Sequence, residues 1–167
     1  LGQDYPHIWV GPGQHLLQQE VGGLRVAVLG GGDNAFENSV QLRERGAAQV
    51  DVYARHIRAQ AQWVARVPAS AITVGAYTVQ ATPAQVNQQQ YDALAVFYGW
   101  QPRLPEHSPL PLNPHGFVAV DAHSTETPLR NLFAIGEVPQ RNAPCVWTGM
   151  PDGGGAAIQA RWHHHPA

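Results

Sequence analysis

The segment Gly30-Gly31-Gly32-Asp33-Asn34-Ala35 carries the clearest chemistry in the chain. It is a G-x-G-x-x-A turn between an apolar, β-branched run (residues 24–29) and a helical pattern (residues 34–45). In such a turn the first glycine permits the sharp reversal, the second lets backbone approach an anion without a Cβ in the way, and the alanine allows close packing of helix on strand. The helix start then presents unpaired N–H groups and the positive end of its dipole to a phosphate. A ligand-free glycine turn would need none of this context. The expectation is a site for the pyrophosphate of a dinucleotide.

A second strand, Gln49–Ala54, closes a βαβ unit of about thirty residues. A dinucleotide site of the NAD type places an acidic side chain after that strand to hold the ribose hydroxyls. Here the chain reads Arg55-His56-Ile57-Arg58. Two guanidinium groups suit a 2′-phosphate, which they can grip in bidentate fashion. NADP is therefore expected rather than NAD, and His56 reads as a surface histidine.

The elements that must position these groups follow from the pattern. Residues 1–21 carry Pro6, Pro12 and several glycines around Ile8-Trp9-Val10 and read as an irregular lead-in or linker. Strand 24–29, helix 34–45 ending at Gly46, and strand 49–54 come next. A short helix is expected over 57–67, stopped by Pro68, followed by strands near 71–75 and 77–81. Residues 82–90 are Gln-rich and read as a turn region. Residues 92–98 return to an apolar strand that stops at Gly99, giving an NADPH-binding domain over 22–102. Five prolines in residues 101–115 exclude regular structure and set a linker at 103–115. Beyond it lie strand candidates at 117–120 and 132–135, a glycine turn at Gly153-Gly154-Gly155 and a short helix from Ala156.

Composition narrows the remaining classes. With 167 residues, 44% hydrophobic and 13% charged, the chain can build a core and does not read as disordered. A net charge of −2 offers no basic footprint for nucleic acid or an acidic membrane. No apolar run reaches the roughly 20 residues of a membrane helix. The single cysteine, Cys145, can form neither an internal disulfide nor a CxxC pair, which points to a reducing cytoplasm. His7, His15, His107, His115 and His123 lack ligand spacing, and His163-His164-His165 falls in a terminal tail, so no metal site is expected.

The order GGGDNAFEN, YARHIRAQ, FYGWQP and GFVAVDAHSTETPLRNLFAIGEV resembles the two-dinucleotide flavoprotein reductases of the thioredoxin reductase type, over nearly the whole chain after Gly22. The resemblance implies an α/β fold: a Rossmann-like three-layer NADPH domain, then a C-terminal portion of an FAD domain over residues 116–162. It implies hydride transfer from NADPH to FAD and onward to an unknown acceptor, and a homodimer. Gly99 would join the NADPH site. Gly136 and Glu137 would face the FAD ribityl and pyrophosphate, and Asp152-Gly153 would open a helix towards the flavin. The family members that reduce thioredoxin carry a CxxC before the first NADPH strand. The matching stretch near residues 9–15 has no cysteine, which excludes that disulfide relay here. No second glycine fingerprint lies upstream, and the chain starts at Leu1, so a C-terminal portion of a larger flavoprotein is expected. The alternative is a stand-alone NADP-binding module or partner subunit without its own redox centre.

Overall fold

A computed structural model describes residues 5–99, 102–121, 123–136, 138–139, 153–154 and 156–157. The chain divides into two compact units, one ending at Gly99 and the other starting at Trp100.

The first unit is built on a five-stranded sheet. Its strands are β1 (Ile8–Val10), β2 (Arg25–Leu29), β3 (Gln49–Ala54), β4 (Ile72–Val74) and β8 (Ala93–Val96). They lie in the order β1-β8-β2-β3-β4, and every pairing is parallel. The helices are α1 (Gln14–Leu17), α2 (Asp33–Glu44) and α3 (Ala61–Val64). Three two-residue strands, β5 (Val79–Gln80), β6 (Gln85–Val86) and β7 (Gln89–Gln90), form a separate antiparallel sheet between β4 and β8 in the chain.

Alternation along the strands sorts the core into two layers. Val26 and Val28 of β2, with Val50 and Val52 of β3, pack on Phe36, Val40 and Leu42 of α2. Ala27, Leu29, Tyr53 and Leu94 point the other way, onto Ala84, Val86 and Tyr91. Helix, parallel sheet and antiparallel sheet therefore stack as three layers, and the unit is a Rossmann-like α/β domain. Continuous burial along Val26–Leu29 is what a strand covered on both faces requires.

Several elements differ from the pattern reading. Ile8–Val10, expected to be irregular, is an edge strand paired with Leu94–Val96. The helix expected over 57–67 shrinks to Ala61–Val64, because the Arg58 and Ala59 N–H groups both donate to the Gly31 carbonyl, at 2.7 and 2.9 Å, and hold the chain extended. The Gln-rich stretch 82–90 contains two strands. Asn87 and Gln88, with φ of 48° and 70°, make the left-handed turn that joins them.

In the second unit the two expected strands reduce to isolated bridges, Leu112 with Val118 and Glu126 with Phe133. The expected glycine turn at residues 153–155 is already helical at Gly153 and Gly154. No described helix is long and apolar enough to cross a membrane.

Candidate functional site

The glycine turn sits at the carboxyl end of β2, beside the point where strand order reverses between β2 and β8, the usual crevice for a ligand in an open α/β sheet. Its three glycines do different work. Gly30 has φ of 145°, and a Cβ there would run into the Phe97 carbonyl at the end of β8. A Cβ on Gly31 would collide with the carbonyl oxygen of His56. Gly32 has nothing within 4 Å of where its Cβ would stand. The first two glycines let neighbouring chain close in, and the third leaves open space in front of the helix.

Gly32 is also the N-cap of α2, and no side chain caps that end. The Ala35 and Phe36 N–H groups both reach back to the Gly32 carbonyl, at 3.1 and 3.3 Å. Those of Asp33 and Asn34 precede any carbonyl of the helix that they could use. The result is an uncapped positive helix end facing unfilled space, which fits a pyrophosphate. Ala35 is fully buried against the sheet, as close packing of α2 demands. The Asp33 carboxylate points elsewhere: it accepts the backbone N–H and the side-chain amide of Gln60, each at 2.7 Å. Asp33 thus ties the loop after β3 to the start of α2. Asn34 is exposed, and its carbonyl accepts the Asn38 amide at 2.7 Å.

That loop carries Arg55 and Arg58, both exposed, and neither forms an ion pair among the described residues. The other cations of this unit are engaged. Arg25 pairs with Asp92, Arg66 pairs with Glu44 and lies over Trp63, Arg43 donates to the Val50 carbonyl, and Arg45 donates to the carbonyls of Leu16, Leu17 and Gln19. Burial, and after it Tyr98, push the Tyr77 phenol well above the ordinary range, with a smaller opposing effect of Arg55. Gly99, with φ of 89° and open space at its Cβ position, ends the segment after β8. The structure therefore gathers Gly30–Gly32, the α2 start, Arg58 and the end of β8 at one sheet edge.

Pattern reading singled out the segment holding Tyr98 without giving that residue a role, and it missed the Asp33–Gln60 link. Tyr98 had a usable signal: it continues the alternation Leu94, Val96 onto the face of the antiparallel sheet. Gln60 had none, because nothing in the sequence marks a partner 27 residues away.

Of the residues expected to hold a flavin, Gly136 has φ of 72°, and Gly153 lies beside Ile135, whose Cδ1 would be 3.6 Å from an added Cβ. The second unit thus brings residues 135–136 and Gly153 together. Glu137 and Asp152 lie outside the described residues. A surface hollow of about 440 Å³ over residues 119–121 and 124–128 contains none of these positions. No cluster of metal-ligating side chains occurs among the described residues.

No family model matches the sequence, and no curated protein matches it. Solved structures do. A thioredoxin reductase of Lactococcus lactis in its FR conformation superposes with a TM-score of 0.66 at 22% identity, covering 84% of this chain and 52% of its own. A thioredoxin reductase of T. acidophilum gives 0.66 at 18% identity over 86% and 54%. The HOCl-induced flavoprotein disulfide reductase of Escherichia coli gives 0.63 at 19% identity over 96% and 40%. The chain spans about half the length of the first two. Its fold is the one found in thioredoxin reductases and related flavoprotein disulfide reductases.

Proposed function

We propose that this chain is the NADPH-binding portion, with part of the flavin-binding portion, of an NADPH-dependent flavoprotein oxidoreductase. The carrying observation is the open, uncapped helix start at Gly32, with the loop after β3 that carries Arg55 and Arg58 bonded to the Gly31 carbonyl and neither arginine in an ion pair among the described residues. Gly30, Gly31 and Gly32 shape the pyrophosphate seat, and the N–H groups of Asp33 and Asn34 meet the anion. Ala35 lets α2 approach, and Gly99 borders the crevice. Arg55 and Arg58 take the 2′-phosphate. Gly136, Glu137, Asp152 and Gly153 belong to the flavin side. The hydride chemistry is supplied by NADPH and FAD, and the protein binds, orients and shields them. No side chain of this chain needs to act as acid or base. The acceptor is not a thioredoxin reached through a CxxC at residues 9–15. A homodimer and a cytoplasmic location complete the reading, the latter suited to a chain with one cysteine.

Calorimetric titration with NADPH, NADH and FAD tests it. Replacing Arg55 and Arg58 together with Ala is expected to weaken NADPH about tenfold or more, since a hydrogen bond to a charged group contributes about 1.5–3 kcal/mol, and to spare NADH. Equal losses for both nucleotides would refute the 2′-phosphate assignment. The first unit holds every proposed NADPH contact within residues 30–99, which also supports a second reading, a nucleotide-binding module without a redox centre. Tight NADPH binding with no FAD uptake by the whole protein would favour it.

A further inference from the structure

The Asp33 carboxylate stands where an acidic group is least expected. Asp33 is the first residue of α2, directly after the open glycine at the helix start, and a negative charge there competes with an anionic ligand for the same positive helix end. Both of its oxygens are taken by one residue: Oδ1 accepts the backbone N–H of Gln60 and Oδ2 accepts the Gln60 side-chain amide, each at 2.7 Å. Gln60 is itself fixed. Its carbonyl accepts the Trp63 and Val64 N–H groups at 3.0 and 3.2 Å where α3 begins, and its side-chain oxygen accepts the Gln62 amide at 3.2 Å. The carboxylate thus anchors the point at which the loop after β3 becomes helix.

Between the end of β3 at Ala54 and this anchor the loop is held at one further place, the Gly31 carbonyl, which accepts the Arg58 and Ala59 N–H groups at 2.7 and 2.9 Å. The His56 carbonyl lies so close to Gly31 that a Cβ there would collide with it. Both anchors therefore belong to the turn that forms the pyrophosphate seat, and the arginines are placed relative to that seat as well as to their own strand. A carboxylate left without these donors would be a competing partner for the guanidinium groups on the same loop. With Gln60 occupying it, neither arginine is in an ion pair among the described residues.

Resting on the reading that this edge takes NADPH, we propose that Asp33 is a positioning residue for nucleotide selectivity: through Gln60 its carboxylate holds the arginine loop in place beside the pyrophosphate seat, and so sets the preference for NADPH over NADH without touching the 2′-phosphate. Its charge weakens every dinucleotide alike. The clamp favours only the one whose 2′-phosphate the arginines reach.

The test is calorimetric titration of the full chain with NADPH and NADH, read as the ratio of their affinities. Asp33→Ala keeps the backbone N–H but removes the charge and both bonds, and is expected to lower the ratio about 2- to 12-fold, the range that one net hydrogen bond corresponds to. Asp33→Asn removes the same charge, yet its oxygen can accept the Gln60 N–H and its amide can donate to the Gln60 side-chain oxygen once that amide turns over, so the ratio is expected to stay within about twofold of the parent. Any loss of helix-dipole stabilisation is common to the two variants and does not separate them. In a protein already carrying Arg55→Ala and Arg58→Ala, adding Asp33→Ala is expected to leave the ratio unchanged, because an effect that travels through the arginines vanishes with them. Equal changes of NADPH and NADH affinity in Asp33→Ala overturn the positioning role. So does the same loss of ratio in Asp33→Ala and Asp33→Asn, or a further loss in the triple variant. Each of these leaves the NADPH reading standing as long as the parent prefers NADPH and the double arginine variant does not. A parent chain that binds NADPH no better than NADH, or not at all, would instead overturn the NADPH reading and the positioning role with it.

Discussion

Three adjacent glycines look equivalent in the sequence and are not equivalent in the fold. Gly31 is fixed by the His56 carbonyl, while Gly32 faces open space. Gly31→Ala must push backbone aside and is expected to lower stability by about 1–3 kcal/mol, the usual range for overpacking, as read by urea denaturation. Gly32→Ala is expected to leave the denaturation midpoint almost unchanged and to weaken NADPH, because its methyl group would occupy the space left for the anion. A large stability loss in Gly32→Ala, or none in Gly31→Ala, would contradict this division. The fingerprint itself was legible from residue types, since strand, glycines and helix are contiguous. What each glycine does was not legible, because His56 and Phe97 come from other strands' ends.

At the scale of elements, β3 is tied to the antiparallel sheet by a chain of hydroxyls. Tyr53 and Tyr91 share a hydrogen bond of 2.8 Å, and the Tyr91 hydroxyl donates to Asp51 at 2.7 Å. Burial, then the bonds to Tyr53 and Asp51, push the Tyr91 phenol well above its usual 10.0. The folded protein therefore keeps that proton when the unfolded chain has begun to lose it. Stability from this group is complete below about pH 10 and falls as pH rises further, since the unfolded state then binds fewer protons. Tyr91→Phe is expected to flatten the alkaline limb of a plot of unfolding free energy against pH. It should also cost about 1 kcal/mol near neutrality, the net value of a typical hydrogen bond. An unaltered alkaline limb would show that the phenol does not carry the effect. The sequence revealed β2, α2 and β3 because each has its period written locally. It hid β6 and β7, whose two-residue spans carry no period, and it hid β1, whose three residues become a strand only through pairing with β8.

At the scale of the molecule, the first unit encloses both of its cores and every proposed NADPH contact. A chain ending at Gly99 is expected to unfold in a single cooperative transition by circular dichroism and to bind NADPH within about threefold of the full chain, since binding free energies of separable units are nearly independent. Loss of cooperativity would mean that the first unit depends on the second. Within it, Phe36→Ala is expected to cost about 3–5 kcal/mol, because Phe36 is fully buried between α2 and the sheet. The prolines at 102–114, which remove ladder donors, lie just past the division between the two compact units. That residues 117–120 and 132–135 form single bridges among the described residues could not be read from their strand-like composition.

The place of β8 in the sheet sets an order of events. It lies between β1 and β2, yet it is the last strand of its unit to be made, more than sixty residues after β2. Until Val96 has left the ribosome, β1 has no neighbour and β2 has only β3, so two unpaired edges wait while the antiparallel sheet is synthesised. Inserting an interior strand of a parallel sheet last requires contacts distant in sequence, which slows folding and exposes apolar edges to other chains. The crevice between the ends of β2 and β8 has only one of its two walls until that final closure.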